Sequence, residues 1–352
     1  MKQIFPGYNK KSKSEIKNIW DNGIICFDTN VLLNLYRYSN DTRIALLDLI
    51  KKFKSKIYLP HQSALEYNKN RYEVISDQEK TYKDFITKLS QIENDLKSKS
   101  KPPFLSNKLH SDFKKIFNDV NNEVEESIKK YNGFLQEDPI YDSICKIFEN
   151  KISPEFSDKE LEEIYCEGEK RYTNKVPPGF EDEKPKKGNR KYGDLILWKQ
   201  IIEIGKREKK PILLITDERK IDWWWKIKDG RNMGPRQELI EEINKEAGVD
   251  FHMYSSERFL TFGSDYLKEQ INQKALEEIK ELKRAEIEIS KTLKRRKLDK
   301  LKKQEYFLSR NKELSFINHQ ILKVKDKINL LDSNMERLKE NTLDESLNQE
   351  EI

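Results

Sequence analysis

Four acidic residues stand at positions where a folded chain could bring them together. Asp28 directly follows the apolar run at 24–27, and Asp217 ends the apolar stretch "PILLITD". Glu66 lies within two turns of the start of "HQSALEYNKNRY", and Asp194 opens "DLILWKQII". The carboxyl ends of parallel strands meet at one edge of a sheet, where functional groups gather. These four acids are therefore candidates for one site at that edge.

Such a cluster has a definite chemistry. Carboxylates packed together repel one another and need a cation to neutralise them. Oxygen ligands suit Mg²⁺ or Mn²⁺, and such ions can activate a water and stabilise the leaving oxygen in phosphodiester hydrolysis. Each acid also has a simpler interpretation. Asp28 and Asp194 could cap helices, Asp217 could form a turn, and Glu66 could lie on a solvated helix face.

The segments that contain these acids alternate between strand and helix. Strands are predicted at 24–27 and 56–59, in "PILLITDE" and in "VDFHMYS", and amphipathic helices lie between them. The sequence "DWWWKIKDGRNMGPR" is predicted to be a loop, and "QELIEEINKEAG" a helix. This alternation is typical of an α/β domain with a central parallel sheet.

A helical region of about residues 75–190 interrupts the alternation. "TYKDFITKLSQIENDL" and "FKKIFNDVNNEVEESI" both have apolar residues at the three-and-four spacing of amphipathic helices. Two further helices are predicted, one from the capping pair Asp138-Pro139 and one from Ser157-Asp158. We interpret this region as an insertion in the α/β domain, closed by a loop at 176–193.

The C-terminal part, residues 265–345, is predicted to be a coiled coil. Apolar residues recur with alternating spacings of three and four from position 314 to 338, and a similar run from 275 to 293 has an acid, Glu286, in one slot. Residues 346–352 are predicted to be a disordered tail. The seam fits either a helical hairpin within one chain or a surface for a second copy or a partner protein.

Composition limits the class of protein. The chain has 352 residues, of which 37% are charged and 36% hydrophobic, and its net charge is +6. No apolar run is long enough to span a bilayer, so we expect a cytoplasmic protein without a membrane partner. The cysteines (Cys26, Cys145 and Cys166) form no CxxC pair and are expected to be reduced and buried. The four histidines are too scattered for a zinc site or a Ser-His-Asp triad.

Several motifs, taken in order, resemble the PIN-like nuclease domain. They are Asp28-Thr29-Asn30 after a strand, Pro60-x5-Glu66, Lys191-Tyr-Gly-Asp194 and Ile215-Thr216-Asp217. "PPGFEDEK", "KYGDLILWKQ", "TDERKIDWWW" and "GPRQELIEE" are similar to the bacterial branch with a long helical insertion. The resemblance covers roughly residues 20–262. It implies an α/β, PIN-like three-layer fold in residues 1–264, with a central parallel sheet and a large helical insertion.

The resemblance also implies roles for individual residues. The catalytic and metal-binding acids would be Asp28, Glu66, Asp194 and Asp217, holding Mg²⁺ or Mn²⁺. Thr216 would orient a ligand, and Asn30 would support the first turn. The bases that precede Asp194 could grip the phosphates of a nucleic acid or could belong to a solvated loop; they are Lys184, Lys186, Lys187, Arg190 and Lys191. Of the three consecutive tryptophans, one or two are expected in the core, and another could stack on a base.

The preferred hypothesis is a metal-dependent nuclease that hydrolyses RNA or DNA. The resemblance suggests a toxin or anti-phage defence role in bacteria. A haloacid-dehalogenase-like phosphatase also has an Asp after its first strand, but it needs a second acid two residues later, where this chain has Asn30. A third possibility is a catalytically inactive interaction protein that acts through its coiled coil.

Overall fold

Four parallel strands form the central sheet. The computed structural model describes residues 1, 4–97, 102, 104–182, 188–308 and 314–347. The sheet has the order β2-β1-β3-β6, and every neighbouring pair is parallel. Its strands are β1 (Ile24–Phe27), β2 (Ile57–Tyr58), β3 (Ile212–Ile215) and β6 (Phe251–Tyr254). The predicted parallel sheet is therefore confirmed.

Each face of the sheet packs against its own layer of helices. Because side chains alternate along a strand, Ile25 and Phe27 point into one core and Ile24 and Cys26 into the other. The first core is covered by α1 (Lys13–Asn22), α2 (Thr29–Asn34), α3 (Asn40–Lys52) and α10 (Ser256–Tyr266). The second is covered by α8 (Gly193–Glu208) and α9 (Gln237–Ala247). These two helical layers and the sheet form the three-layer α/β fold.

The helical insertion is present, with one difference from prediction. It comprises most of α4 (His61–Lys97), then α5 (Asn107–Gly133), α6 (Pro139–Ile147) and α7 (Asp158–Thr173). The Asp138 side chain caps α6 by accepting hydrogen bonds from the backbone N–H groups of Ile140 and Tyr141. The sequence predicted separate helices for "HQSALEYNKNRY" and "TYKDFITKLS", but α4 is continuous because nothing between them breaks a helix.

The predicted loop after β3 contains a small hairpin. Strands β4 (Trp224–Lys226) and β5 (Asn232–Pro235) pair in antiparallel fashion. Gly230 has a φ of 86°, and this conformation lets the chain reverse between the strands. The loop prediction was wrong here because a strand is recognised by alternating apolar and polar residues, and three consecutive tryptophans show no such alternation.

The expectation of three buried cysteines was also wrong. Cys26 is buried in the central strand, whereas Cys145 and Cys166 are exposed. Both lie in amphipathic helices, α6 and α7, on turns whose neighbouring positions Ile144 and Ile164 face the core. Helical context alone therefore did not determine which side of each helix the thiol would occupy.

The C-terminal segment consists of α11 (Gln273–Leu308) and α12 (Leu314–Leu347), which pack against each other. Leu298, Ile321 and Ile328 are buried between the two helices, and the Lys291 Nζ atom lies 3.0 Å from Asp332 Oδ1. The structure therefore contains the intrachain hairpin that was one of the two alternatives. The domain division at residue 264 stays a prediction. Of the predicted tail, residues 346–347 are in α12 and 348–352 lie outside the described residues.

No helix in the described ranges is both long and apolar enough to cross a membrane.

A buried arginine attaches the insertion to the α/β layers. Arg171 of α7 makes a two-pronged contact with Glu242 of α9, with N–O distances of 2.6 and 2.7 Å. It also donates to the backbone oxygen of Pro177, in the loop that leads to Asp194. Trp198 Nε1 donates to the same Glu242 carboxylate at 2.9 Å. This network fixes the position at which α8 begins.

We expect Arg171→Met to lower the free energy of unfolding by about 3 kcal/mol, because it leaves the half-buried Glu242 carboxylate without its main partner. Urea denaturation followed by circular dichroism would measure the loss. Arg207→Met is the matched control, since the exposed Arg207–Glu208 pair is expected to contribute below about 1 kcal/mol. Equal losses in the two variants would contradict the assignment.

Candidate metal centre at the carboxyl edge of the sheet

The ends of β1 and β3 lie side by side. Phe27 pairs with Ile215, so the next residues, Asp28 and Thr216, are neighbours across the sheet. Thr216 Oγ1 donates to Asp28 Oδ2 at 2.6 Å, and the Asp28 N–H donates to Ile215 O at 2.9 Å. Asp28 Oδ1 accepts from the Thr29 N–H at 2.6 Å and so caps α2. The Asp28 carboxylate therefore caps α2 and also forms part of the candidate site.

Asn30 connects the two strand ends. Its Nδ2 donates to Asp28 Oδ2 at 2.7 Å, and its Oδ1 accepts from the Asp217 N–H at 2.9 Å. The sequence resemblance implied a supporting role for Asn30, and that role stays a prediction. An acid at residue 30 could not donate to Asp28, so the amide matches this geometry better than a second carboxylate would.

Asp28 is surrounded by other acids. The pKa of Asp28 is raised to about 7, mainly by burial and further by the negative charges of Asp194, Glu218 and Glu66, against the lowering effect of the Thr216 hydrogen bond. Three of the four predicted acids are thus electrostatic neighbours. The fourth neighbour is Glu218, which the sequence analysis did not select.

Asp217 faces a different way. Its Oδ1 accepts from the Ser256 N–H at 3.0 Å, and its Oδ2 accepts from Ser256 Oγ at 2.7 Å and from Asn34 Nδ2 at 3.0 Å. These bonds tie the end of β3 to the start of α10 and to α2. Adjacent residues after a strand point to opposite sides, so Glu218 faces the acid cluster where Asp217 does not.

Gly193, which precedes Asp194, lies directly against the Glu66 carboxylate. Glu66 Oε1 accepts from Gln62 Nε2 at 2.7 Å, and its Oε2 lies 3.4 Å from Thr29 Oγ1. An added Cβ on Gly193 would lie only 2.7 Å from Glu66 Oε1. Gly193 therefore lets the α4 carboxylate approach the first turn of α8, where Asp194 stands.

A lysine ammonium lies among the acids. Lys220 Nζ is 2.9 Å from Asp182 Oδ1, 3.1 Å from Asp194 Oδ2 and 3.2 Å from Glu218 Oε2. Burial opposes the charged form of Lys220, but Asp194, Glu218 and Asp182 outweigh it and raise its pKa. Neither Lys220 nor Asp182 was among the site residues predicted from the sequence. The one signal in the sequence was the density of acids in "FEDE" and "TDE".

Two buried side chains hold the surrounding loops. Trp223, 2% exposed, donates from Nε1 to Asp194 Oδ2 at 3.2 Å. Asp222 is fully buried, and its Oδ2 accepts from the N–H groups of Gly179 and Glu181 at 3.0 and 3.1 Å. Asp222 Oδ1 is buried without a hydrogen-bond partner among the described residues. Burial raises the pKa of Asp222 to about 6.

The tryptophan triplet mainly packs inside. Trp223 and Trp224 are buried, as expected for two of the three, and Trp224 Nε1 donates to Glu218 O at 2.5 Å. Trp225 is half-buried, with its ring 6.2 Å from that of Tyr8. All three thus support the segment that leads away from Glu218.

The basic loop is only partly described. Arg190 is exposed, and both it and Lys191 belong to a short 3-10 turn, Gly188–Tyr192, just before α8. The Tyr172 hydroxyl donates to Lys191 O at 2.9 Å and holds this turn next to Asp194. Lys184, Lys186 and Lys187 lie outside the described residues.

The donor set suits a hard divalent cation. Asp28, Glu66, Asp194 and Glu218 offer only carboxylate oxygens, the ligands that Mg²⁺ and Mn²⁺ prefer. Among the described residues, no three acidic, histidine or cysteine side chains are close enough to enclose an ion as they stand. Lys220 already provides one positive charge to three carboxylates, and the unpartnered Asp222 Oδ1 indicates further acceptor capacity nearby.

The comparison with protein families agrees with this geometry. Residues 24–239, more than half of the chain, match the family described as PIN like domain. The chain belongs to the PIN-like domain family. Domains of this family are typically nucleases that act on nucleic acid and generally use divalent metals. No curated protein and no solved structure matches the chain.

We expect Gly193→Ala to weaken Mn²⁺ binding by about tenfold or more, because the new methyl group displaces the Glu66 carboxylate. Isothermal titration calorimetry would measure the affinity. Gly133→Ala is the control, since an added Cβ there meets no atom within 4 Å. Unchanged Mn²⁺ binding in Gly193→Ala would remove Glu66 from the proposed ligands.

We expect Lys220→Met to destabilise the metal-free protein by about 2 kcal/mol, because three carboxylates lose their shared charged donor. Mn²⁺ should then raise the melting temperature of this variant more than that of the unaltered protein, since the ion replaces the missing charge. Thermal denaturation with and without Mn²⁺ tests both points. The exposed Lys228→Met is the control. An equal Mn²⁺ effect in all three proteins would contradict competition between Lys220 and the ion.

Proposed function

We propose that the protein is a metal-dependent nuclease that hydrolyses phosphodiester bonds of RNA or DNA. The observation that supports this most directly is the convergence of Asp194, Glu218 and Glu66 on Asp28 at the carboxyl edge of the sheet. Membership of the PIN-like family supports the same class of activity. A purely structural cluster would not need carboxylates from four separate segments held against their mutual repulsion.

Asp28, Glu66, Asp194 and Glu218 would hold Mg²⁺ or Mn²⁺. When bound, such an ion supplies Lewis-acid stabilisation of phosphate oxygens and an activated water. Thr216 and Asn30 keep the Asp28 carboxylate in one orientation through its Oδ2 atom. The Trp223 N–H does the same for Asp194 Oδ2. Fixed ligands of this kind reduce the reorganisation needed during reaction.

Asp217 receives a different role in this proposal from the one that the sequence motif implied. Ser256 and Asn34 donate to both of its oxygens, so its carboxylate joins β3 to α10 and α2. We propose that Asp217 positions the strand end and that Glu218 is the fourth ligand. Asp217 and Glu218 are adjacent in the chain, so the side of the strand end to which each side chain points decides which of them is proposed as the ligand.

The basic loop would complete the substrate site. We propose that Arg190 and Lys191, with Lys184, Lys186 and Lys187, contact phosphates next to the acidic centre. Cations are needed there because the carboxylates repel a polyanion. We further propose that the enzyme acts in the cytoplasm of a bacterium, in a toxin or anti-phage defence role, which is what the sequence resemblance suggests.

We expect Asp28→Asn, Glu66→Gln, Asp194→Asn and Glu218→Gln each to slow cleavage at least about a hundredfold, because several kcal/mol of metal-dependent stabilisation are lost. Asp217→Asn should slow cleavage less but lower the melting temperature, because it disturbs the bonds to Ser256. Cleavage rates should be measured with Mg²⁺ and with Mn²⁺ on single- and double-stranded RNA and DNA.

Two results would count against the proposal. The absence of cleavage of every substrate with either ion would favour an inactive interaction protein. If Asp217→Asn lost as much activity as Glu218→Gln while its melting temperature stayed unchanged, the fourth ligand would be Asp217.

A further inference from the structure

The first helix of the C-terminal hairpin is attached beside the acidic centre. Glu286 of α11 pairs with Arg37 Nη1 at 2.9 Å and with Arg219 Nη2 at 2.5 Å. Arg219 directly follows Glu218. Lys327 of α12 pairs with Glu181 at 3.3 Å, and Glu181 precedes Asp182, which binds Lys220. The hairpin is thus tied at two points to segments that contribute acids to the site.

Beyond the first of these contacts, α11 becomes strongly basic. The segment "KTLKRRKLDKLKK", residues 291–303, has eight bases and one acid. Lys291 is buried and pairs with Asp332, and Arg295 lies 3.5 Å from the same carboxylate. Five others are exposed and form no ion pair with any side chain that the structure describes; they are Arg296, Lys297, Lys300, Lys302 and Lys303.

One face of α11 connects these bases to the site. Glu286, Ile289, Leu293 and Lys297 recur at spacings of three and four, so they lie on a single side of the helix. Ile289 and Leu293 are 60% and 58% exposed, and they line a shallow groove with Lys294 and Lys297. The side of α11 that docks on the domain through Glu286 therefore continues as an open, basic surface.

Bases from the domain meet this surface. Lys226 Nζ donates to Arg219 O at 2.9 Å, beside the site. Burial lowers the pKa of Lys226, and the positive charges of Arg219, Lys283 and Lys294 lower it further, against Glu218. Burial and the charge of Lys327 lower the pKa of Lys294, against Glu181. A bound anion would reduce the electrostatic repulsion between these neighbouring positive charges.

We propose that the exposed basic face of α11 binds the phosphate backbone of a nucleic-acid strand whose neighbouring part lies in the acidic centre. This surface, the α11 basic face, consists of the exposed Arg296, Lys297 and Lys300, with the half-buried Lys294 at its margin, and Lys226 extends it toward the site. The inference rests on the proposed nuclease function and adds a second substrate-binding surface outside the family match, which ends at residue 239.

The dimensions agree with a backbone contact. From residue 286 to residue 303 the helix rises about 26 Å, which corresponds to about seven phosphates of one strand at B-form spacing. The net charge of the 291–303 segment favours a polyanion over a second copy of the same basic helix, because two such helices would repel each other.

The test is nucleic-acid binding by the full-length chain without divalent metal. The variant is Arg296→Gln/Lys297→Gln/Lys300→Gln. The control is Lys209→Gln/Lys210→Gln/Lys245→Gln, which removes three exposed bases near the opposite edge of the sheet. Fluorescence anisotropy with labelled oligouridylate, oligothymidylate and a DNA duplex over a salt series gives affinities and their salt dependence.

We expect the α11 variant to bind single strands at least about tenfold more weakly at moderate salt. Its slope of log affinity against log salt should fall by about 2, that is, about 0.7 for each lost phosphate contact. The control variant should retain both values. Equal losses in the two variants would show a net-charge effect and overturn the proposal, as would unchanged binding in the α11 variant.

Two further measurements separate this proposal from its alternatives. Sedimentation velocity reports the oligomeric state, and a change of state in the α11 variant without a change in binding would identify the face as a contact between copies and overturn the proposal. Cleavage assays are independent of the binding readout. Cleavage by the unaltered protein with undiminished binding by the α11 variant would leave the nuclease function standing and refute this surface alone.

Discussion

Carboxylates held together against their own repulsion are the constraint on which the rest of the structure depends. Parallel pairing ends β1 and β3 at the same level, so Asp28 and the residues after Ile215 must share one edge. The first turns of α4 bring Glu66, and α8 brings Asp194. Thr29, Asn30 and Thr216 donate hydrogen bonds to Asp28, and Lys220 provides a positive charge to Asp194 and Glu218. Without such donors the strand ends would separate or the acids would take up protons.

The large apolar and paired side chains around the centre serve this arrangement. Trp223 is both a core residue and a hydrogen-bond donor to Asp194, so packing in the core fixes the orientation of this carboxylate. Arg171 joins α7 to α9 and holds the Pro177 carbonyl group. Asp222 accepts hydrogen bonds from the backbone N–H groups of Gly179 and Glu181, in the turn just after Pro177. The insertion is therefore a structural part of the site, because its last helix and closing loop determine where α8 begins.

The sequence was sufficient for the fold class and for three members of the acid cluster, because acids at the ends of parallel strands, and at the starts of the helices beside them, gather at one edge of the sheet. It was not sufficient to choose between Asp217 and Glu218. Both come just after β3, and only the side to which each points decides which one faces Asp28. Lys220 was missed because a lysine in a loop is normally solvated, and two of its three acidic neighbours come from distant parts of the chain. Periodicity correctly predicted the early apolar face of α11 at Ala275 and Ile279, but it was wrong for the seam positions Ile289 and Leu293, which are exposed.

The contacts that α11 makes along its length determine where the C-terminal hairpin lies relative to the acidic centre. The early seam residues Ala275 and Ile279 are buried in the main core, whereas Leu298 packs against α12. Between them stands Glu286, the acid in an apolar slot, and the pattern is broken there because Glu286 forms ion pairs with Arg37 and Arg219. After Glu286 the predicted seam positions Ile289 and Leu293 are exposed, and a different side of α11, which carries Leu298, packs against the second helix. The ion pairs of Glu286 place this part of the hairpin beside Arg219, the residue that follows Glu218, so the hairpin adjoins the edge of the sheet that contains the acids.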